Sequence, residues 1–300
     1  MTTDPSALVR ERWQQVCRLE YLTRRQVALT AKTSATEREL TELERDLVAE
    51  NRDVERLQGA SWAGLMAMLA GDKNERLARE RLEAEAVRQR VLGQRARLAG
   101  LRDELKRVSD ELRSRQNARA EYEEAIRKVD RPELADVGFR LATVEADLWE
   151  YEEARQAAQA AERALMAVLQ CLRDIGNASS RNVWRLPFAQ AIREARVGQA
   201  DQAAWYASLA LEDVSDQLND IGVETRFELP PADLRWFIEL YFDEELTAQE
   251  RHERIHQTYL QVEAILRWAV GMGEHLSSRR RVLLSNRTRL AGHWEAALSA

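Results

Sequence analysis

The residues that most readily suggest chemistry are His252-Glu253-Arg254-Ile255-His256, which satisfy the H-E-x-x-H pattern. On a helix, two histidines one turn apart can chelate zinc while the intervening glutamate activates a bound water. The flanking residues argue against that use. The helix of a zinc protease lies under the substrate cleft and is bordered by uncharged residues, whereas Glu250, Arg251 and Arg254 are all charged. Tyr259 stands where a metzincin requires glycine, and no third histidine follows. Glu274 is a conceivable third ligand, but no run of strands is present to build a cleft. The pattern therefore reads as a chance match on a solvated helix face. No catalytic residue, metal or cofactor is expected, and the chain is read as a non-enzyme.

Other reactive groups are sparse. Cys17 and Cys171 lie far apart without metal-ligand spacing and read as free thiols of a reducing cytosol. Arg279-Arg280-Arg281, with Arg287 and Arg289, could hold phosphate or an anionic surface. The preferred reading pairs them with the acidic run Asp243-Glu244-Glu245. Gly198, Asp201, Ala203, Tyr206, Ala210 and Leu211 have the small/aromatic rhythm of one tetratricopeptide-like unit. One unit builds no solenoid, so ordinary helix packing accounts for them.

The better candidate for function is apolar. In Ser61-Trp62-Ala63-Gly64-Leu65-Met66-Ala67-Met68-Leu69, helical spacing puts Trp62, Leu65, Met66 and Leu69 on one face and Met68 off it. An aromatic ring and two adaptable thioethers suit docking to a partner or shallow insertion into a membrane surface. The competing reading is that they cap the end of a coiled coil.

These residues need long helices to position them. From 84 to 129 a heptad register runs unbroken: Ala84, Val91, Leu98, Leu105, Leu112, Arg119 and Ile126 at a, with Val87, Gln94, Leu101, Val108, Arg115, Tyr122 and Val129 at d. Such a seam demands a partner helix. A first helix is predicted from Asp4-Pro5, an N-cap followed by proline at N1, to about Leu57. Its seam runs through Leu19, Leu22, Leu29, Leu40, Leu43, Leu47, Val54 and Leu57, and Thr33 and Thr36 weaken it. Residues 35–57 hold eight acids against four arginines, whereas 75–119 hold thirteen basic residues against eight acids. An acidic arm folding back on a basic arm selects an antiparallel hairpin over residues 5–130, with its tip at 59–74. The same pairing disfavours reading Arg88, Arg90, Arg95, Arg97, Arg102 and Arg107 as a nucleic-acid stripe, so nucleic acid is not an expected partner. Arg115 and Arg119 fall in the seam, where a third helix or a second subunit should supply acids.

Arg131-Pro132-Glu133 opens a third long helix, 131–176, expected to pack on the hairpin base and to end at Gly176-Asn177. Residues 177–300 are expected to form a helical C-terminal domain. There Gly198 should break one helix, Gly222 close the next, and Thr247-x-x-Glu250 open the last with a capping box that Gly271 and Gly273 could interrupt. Leu234–Leu246 reads as a short aromatic helix after an extended connector. The fold class is all-α.

Residues 61–84 resemble a group of uncharacterised bacterial coiled-coil proteins that carry a Leu/Phe-rich tip followed by Gly, Lys, acids and a Lys-Glu-rich heptad run. The likeness extends to 180–245, where a Trp-containing loop, a small helical pair and an aromatic helix ending in Tyr-Phe-Asp recur in that order. Here Trp62 and the methionines replace phenylalanines, and arginine replaces most lysines. The group has no established activity, so the resemblance implies no catalytic residue.

The net charge of −6 gives no drive toward nucleic acid or anionic lipid. Arginine so far outnumbers the four lysines that GC-rich bacterial coding is the simplest explanation. The N-terminus lacks the basic and apolar regions of a signal peptide, and no apolar run reaches the ~20 residues of a membrane span. A cytoplasmic location is expected. The function expected is a scaffold or adaptor, homodimeric, that binds protein partners through the tip and the C-terminal domain. The alternative is a peripheral membrane-remodelling hairpin. Such proteins carry an amphipathic anchor at the N-terminus, where residues 5–25 here form a mixed-charge coil helix instead.

Overall fold

The computed structural model describes residues 4–59, 72–180, 189–223 and 247–299, and every regular element among them is an α-helix. The all-α class is therefore borne out. Helix α1 (Pro5–Gly59) begins where Asp4 Oδ1 accepts the Ser6 N–H at 3.0 Å, with proline at the first position. It packs against α2 (Asp72–Ser114) and α3 (Ala118–Val129). Arg12 pairs with Glu121, Arg18 with Glu111, Arg25 with Glu104, Glu37 with Arg102 and Glu44 with Arg95. Partner numbers fall as α1 numbers rise, so the two arms of the hairpin are antiparallel; at Glu37 and Glu44 the acids are on α1, whereas nearer the base α1 supplies the arginines.

The heptad helix is not continuous. Residues 115–117 form a turn, with i→i+3 bonds from Arg115 N to Leu112 O (3.0 Å) and from Ala118 N to Arg115 O (2.9 Å). The break follows from the two arginines that the register would otherwise place in the seam. Past the turn, Ala118 is buried and Arg119 is exposed. The acids that pair these arginines come from the hairpin itself, not from a third helix or a second subunit. Arg119 meets Glu20 of α1 (2.7 Å) and Arg115 meets Glu111 one turn back (3.1 Å). Gln94, at a d position, is buried and donates to Glu39.

Helix α4 (Glu133–Ser180) lies parallel to the first half of α1. Trp13 Nε1 donates to Gly138 O (3.1 Å), Tyr21 Oη to Glu153 (2.6 Å), and Arg24 pairs with Asp147 (2.8 Å). Helix α6 (Ala248–Ser299) runs antiparallel along α4, from Arg173–Tyr259 at one end to Arg287–Glu145 at the other. Its capping box is formed: Glu250 N donates to Thr247 Oγ1 (3.2 Å) and Thr247 N to Glu250 (2.8 Å). Helix α5 (Ala189–Asp220) packs mainly on α4 and touches α2. It ends in a Schellman turn in which Gly222 takes φ +78°, Gly222 N bonds Asn219 O and Val223 N bonds Leu218 O.

Three expected interruptions are absent. Helix α5 continues through Gly198, α6 through Gly271 and Gly273, and α4 past Gly176-Asn177 to Ser180. A helical glycine costs about 1 kcal/mol relative to alanine. Buried neighbours such as Val197, Ala200, Ala269 and Leu276 outweigh that.

Two cores result. At the base, Val9 and Val16 of α1, Tyr122 and Ile126 of α3, Leu134 of α4 and Trp294 of α6 are buried together. Further along, the alanine stretch of α4 (Ala154, Ala158, Ala161) lets α5 and α6 approach closely and then gives way to Leu165, Val168 and Leu172. Among the described residues, no helix is long and apolar enough to cross a membrane.

Candidate functional site

The tip residues Trp62, Leu65, Met66, Met68 and Leu69 lie outside the described residues, as do the aromatic segment 234–246 and Trp184. The H-E-x-x-H residues are described. His252, Glu253 and His256 are exposed on the first turns of α6, and Ile255 alone of the five is buried. Glu274 lies on the same unbroken helix about 18 residues beyond His256, roughly 27 Å away at 1.5 Å per residue, too far to share a metal. Among the described residues, Glu50, Glu80 and Glu83 bring three metal-type ligand atoms within 4.8 Å of one another, and that group contains no histidine.

The basic cluster on α6 is engaged by α4. Arg280 pairs with Glu152 (3.3 Å) and Arg287 with Glu145. The expected acidic partner, Asp243–Glu245, lies outside the described residues. Because α6 runs antiparallel along α4, acids of α4 stand opposite Arg280 and Arg287.

What sequence reasoning missed is a charged cleft where α5 leaves α4 and faces the hairpin. Arg25 stands at the fork. Its side chain is 19 % exposed and joins three helices, reaching Glu104 of α2 (2.7 Å) and Glu153 of α4 (3.1 Å) from α1. Beyond it, a cavity of about 690 Å³ opens between α1, α2 and α5, lined by Arg25, Lys32, Arg97, Glu104, Asp213 and Asp216. A second, of about 500 Å³, lies between α1, α4 and α5, with Tyr21, Arg24, Glu150 and Asp220 in its wall. Both share Arg25, Ala28, Ala31 and Asp220.

Ion pairs cross this cleft. Lys32 of α1 meets Asp213 (2.5 Å) and Asp216 (3.9 Å) of α5, while Arg97 of α2 meets Asp213 (2.7 Å) and Glu212 (3.2 Å). Arg90 of α2 pairs with Asp201, which is itself buried. Acids outnumber these cations, and burial pushes several carboxyls upward. Glu39 is raised by burial and by the facing Glu212 carboxyl. Asp216 and Asp220 are raised by burial, which Lys32 offsets in part at both and Arg25 at Asp220. Glu150 is raised by burial against the pull of Arg24. The sequence held one signal for this: Glu212, Asp213, Asp216 and Asp220 fall at three- and four-residue spacings, an acidic stripe along one face of α5. Such chemistry binds helices to each other. No histidine is among the lining residues of the cleft.

No family model, no curated protein and no solved structure matches this chain.

Proposed function

We propose that the protein is a non-enzymatic coiled-coil scaffold or adaptor that binds protein partners through the far end of its hairpin and its C-terminal helices, as a homodimer in the cytoplasm. One observation carries this reading. Of the residues in α1 whose burial is described, none after Thr36 is buried, although Leu40, Leu43, Leu47 and Val54 hold seam positions. Over the same length α2 buries Ala84, Val91 and Leu98, because it also faces α5. The acidic arm thus keeps apolar surface half-covered toward the end where Trp62 and Leu65 lie in the sequence, and half-covered leucines in a helical rod are surface for another helix.

The deciding experiment captures partners from native lysate with wild-type protein and with a Trp62→Asp/Leu65→Asp variant matched in thermal stability. A protein retained by the first and lost by the second makes the tip the binding site. Identical captures remove the tip from the mechanism, and loss of a lipid fraction alone favours a membrane-associated hairpin instead. Sedimentation equilibrium tests the dimer, and a single monomeric species would end that part of the proposal.

A further inference from the structure

The contacts that join the hairpin to the rest of the molecule differ sharply along its length. At the base they are apolar and continuous: α1 and α3 share a buried cluster with α4 and α6. Past Arg25 they become sparse and ionic. There the hairpin meets α5 through Lys32–Asp213, Arg97–Glu212, Arg97–Asp213 and Arg90–Asp201. Few apolar contacts stand among them: Leu82 and Ala86 of α2 pack against the bundle cluster, and Trp205 of α5 meets Gly93 of α2. The ring of Trp205 lies directly on Gly93, so close that a Cβ at that position would stand 2.8 Å from Cζ3 and nearer still to Cη2.

We propose that this contact is a clasp: an ionic seam around the Trp205–Gly93 latch, able to open while the base and the α4–α5–α6 bundle remain folded. The geometry supports opening in three ways. First, α5 buries Val197, Ala200, Ala204, Leu211, Val214 and Leu218 within its cluster with α4 and α6, so its own packing survives loss of the hairpin. Second, a buried polar atom on the hairpin side, Arg90 Nε, has no hydrogen-bond partner in the closed form and regains water when it opens. Third, the Lys32 and Arg97 pairs are partly solvated, with the Asp213 side chain 41 % exposed, and such pairs hold weakly; Arg90–Asp201 is the buried pair of the four. The acids on the seam outnumber its cations, so removing cations must push the two sides apart. Separation would uncover the indole of Trp205 together with the half-buried Leu82 and Ala86 of α2, which pack against the bundle when closed. The inference does not rest on the tip or on any partner.

The test measures the distance between spin labels on the two sides, at Val48→Cys in α1 and Met166→Cys in α4, both exposed. Cys171→Ser removes the accessible native thiol, and burial keeps Cys17 protonated and unreactive. A second pair, Met166→Cys with Leu260→Cys, reports on the bundle alone. Gly93→Leu wedges the latch, and Lys32→Gln/Arg97→Gln removes two of the three seam cations without adding bulk. Each should lengthen the cross-seam distance by roughly half a helix diameter, ~5 Å, and leave the bundle pair unchanged. If Gly93→Leu does not fold, the double glutamine variant decides alone. An unchanged cross-seam distribution in the variants that fold, or a bundle pair that moves in step with it, overturns the clasp.

Discussion

The base and the far seam are held together by opposite means. At the base, Tyr122 is fully buried, donates its hydroxyl to Leu134 O (2.9 Å) and accepts the indole N–H of Trp294 (3.1 Å). Trp13 stacks on Trp294 with centroids 5.3 Å apart and sends its own N–H to Gly138 O. Burial pushes the Tyr122 phenol up to about 12, so it stays a neutral donor throughout the working range of pH. Every polar atom in that group has a partner. At the seam, side chains of opposite charge meet across a cleft, and unpaired atoms remain beside them. A satisfied network at the base fixes one arrangement, whereas the ionic seam leaves the separation of its two sides adjustable.

The largest expected effect breaks the base. Tyr122→Ala should destabilise the protein by about 3–5 kcal/mol, the usual cost of deleting a buried aromatic ring. Tyr122→Phe keeps the ring but leaves the buried Trp294 N–H without its acceptor, for about 1–3 kcal/mol. Urea unfolding followed by circular dichroism measures both. Equal, small losses in the two variants would mean that the base is no more specific than the seam.

Glycines sharpen the contrast at smaller amplitude. A Cβ at Gly138 would stand 2.8 Å from Cζ of Tyr122 and closer still to its hydroxyl, on backbone that cannot retreat from Trp13. Gly138→Ala should therefore cost about 1–3 kcal/mol through overpacking. Gly271, in the middle of α6, has nothing within 4 Å of such a Cβ. There the same substitution should stabilise by about 0.5–1 kcal/mol, because alanine is the better helix former. A loss at Gly271 as large as that at Gly138 would contradict the packing described here.

How much of this was legible beforehand depends on which physical signal each feature left in the chain. Helix starts were readable because caps are local: Asp4-Pro5 and Thr247-x-x-Glu250 act within one turn. Antiparallel pairing of α1 with α2 was readable because the opposed charge of the two arms is a property of long segments. Glycine positions misled, since the cost of Gly198 or Gly271 is local while the packing that overrides it comes from other helices. Arg115 and Arg119 warned of trouble in the seam, but the remedy, a turn that exchanges Arg119 for Ala118, depends on three-dimensional crowding. The α5 cleft left only a stripe of acids, whose partners Lys32 and Arg97 stand more than a hundred residues away in the chain. No local rule joins residues so far apart.

The smallest predicted effect concerns pH, and here the two kinds of contact have opposite signs. Glu39, Glu150, Asp216 and Asp220, along the seam and fork, are raised in the folded protein, chiefly by burial. A carboxyl raised on folding binds its proton more tightly in the folded state. Its stabilising contribution is therefore present below the unfolded pKa and lost as pH rises through the folded one. Glu111, Glu152 and Glu295 are lowered instead, mainly by hydrogen bonds from Arg18, Arg155 and Arg10. Their contribution is present above the unfolded pKa and disappears as pH falls through the folded one, and because these side chains are partly solvated it is small. Lowering the pH from about 7 toward the ordinary carboxylate range, about 4, should first strengthen the protein and then weaken it. The urea midpoint should accordingly peak on the acid side of neutrality. Asp216→Asn/Asp220→Asn should flatten the rise, because amides carry no proton to gain, and should leave the acid-side fall in place. A midpoint that climbs steadily to neutral pH in the wild type would show that the lowered carboxyls dominate, and that the seam is held as firmly as the base.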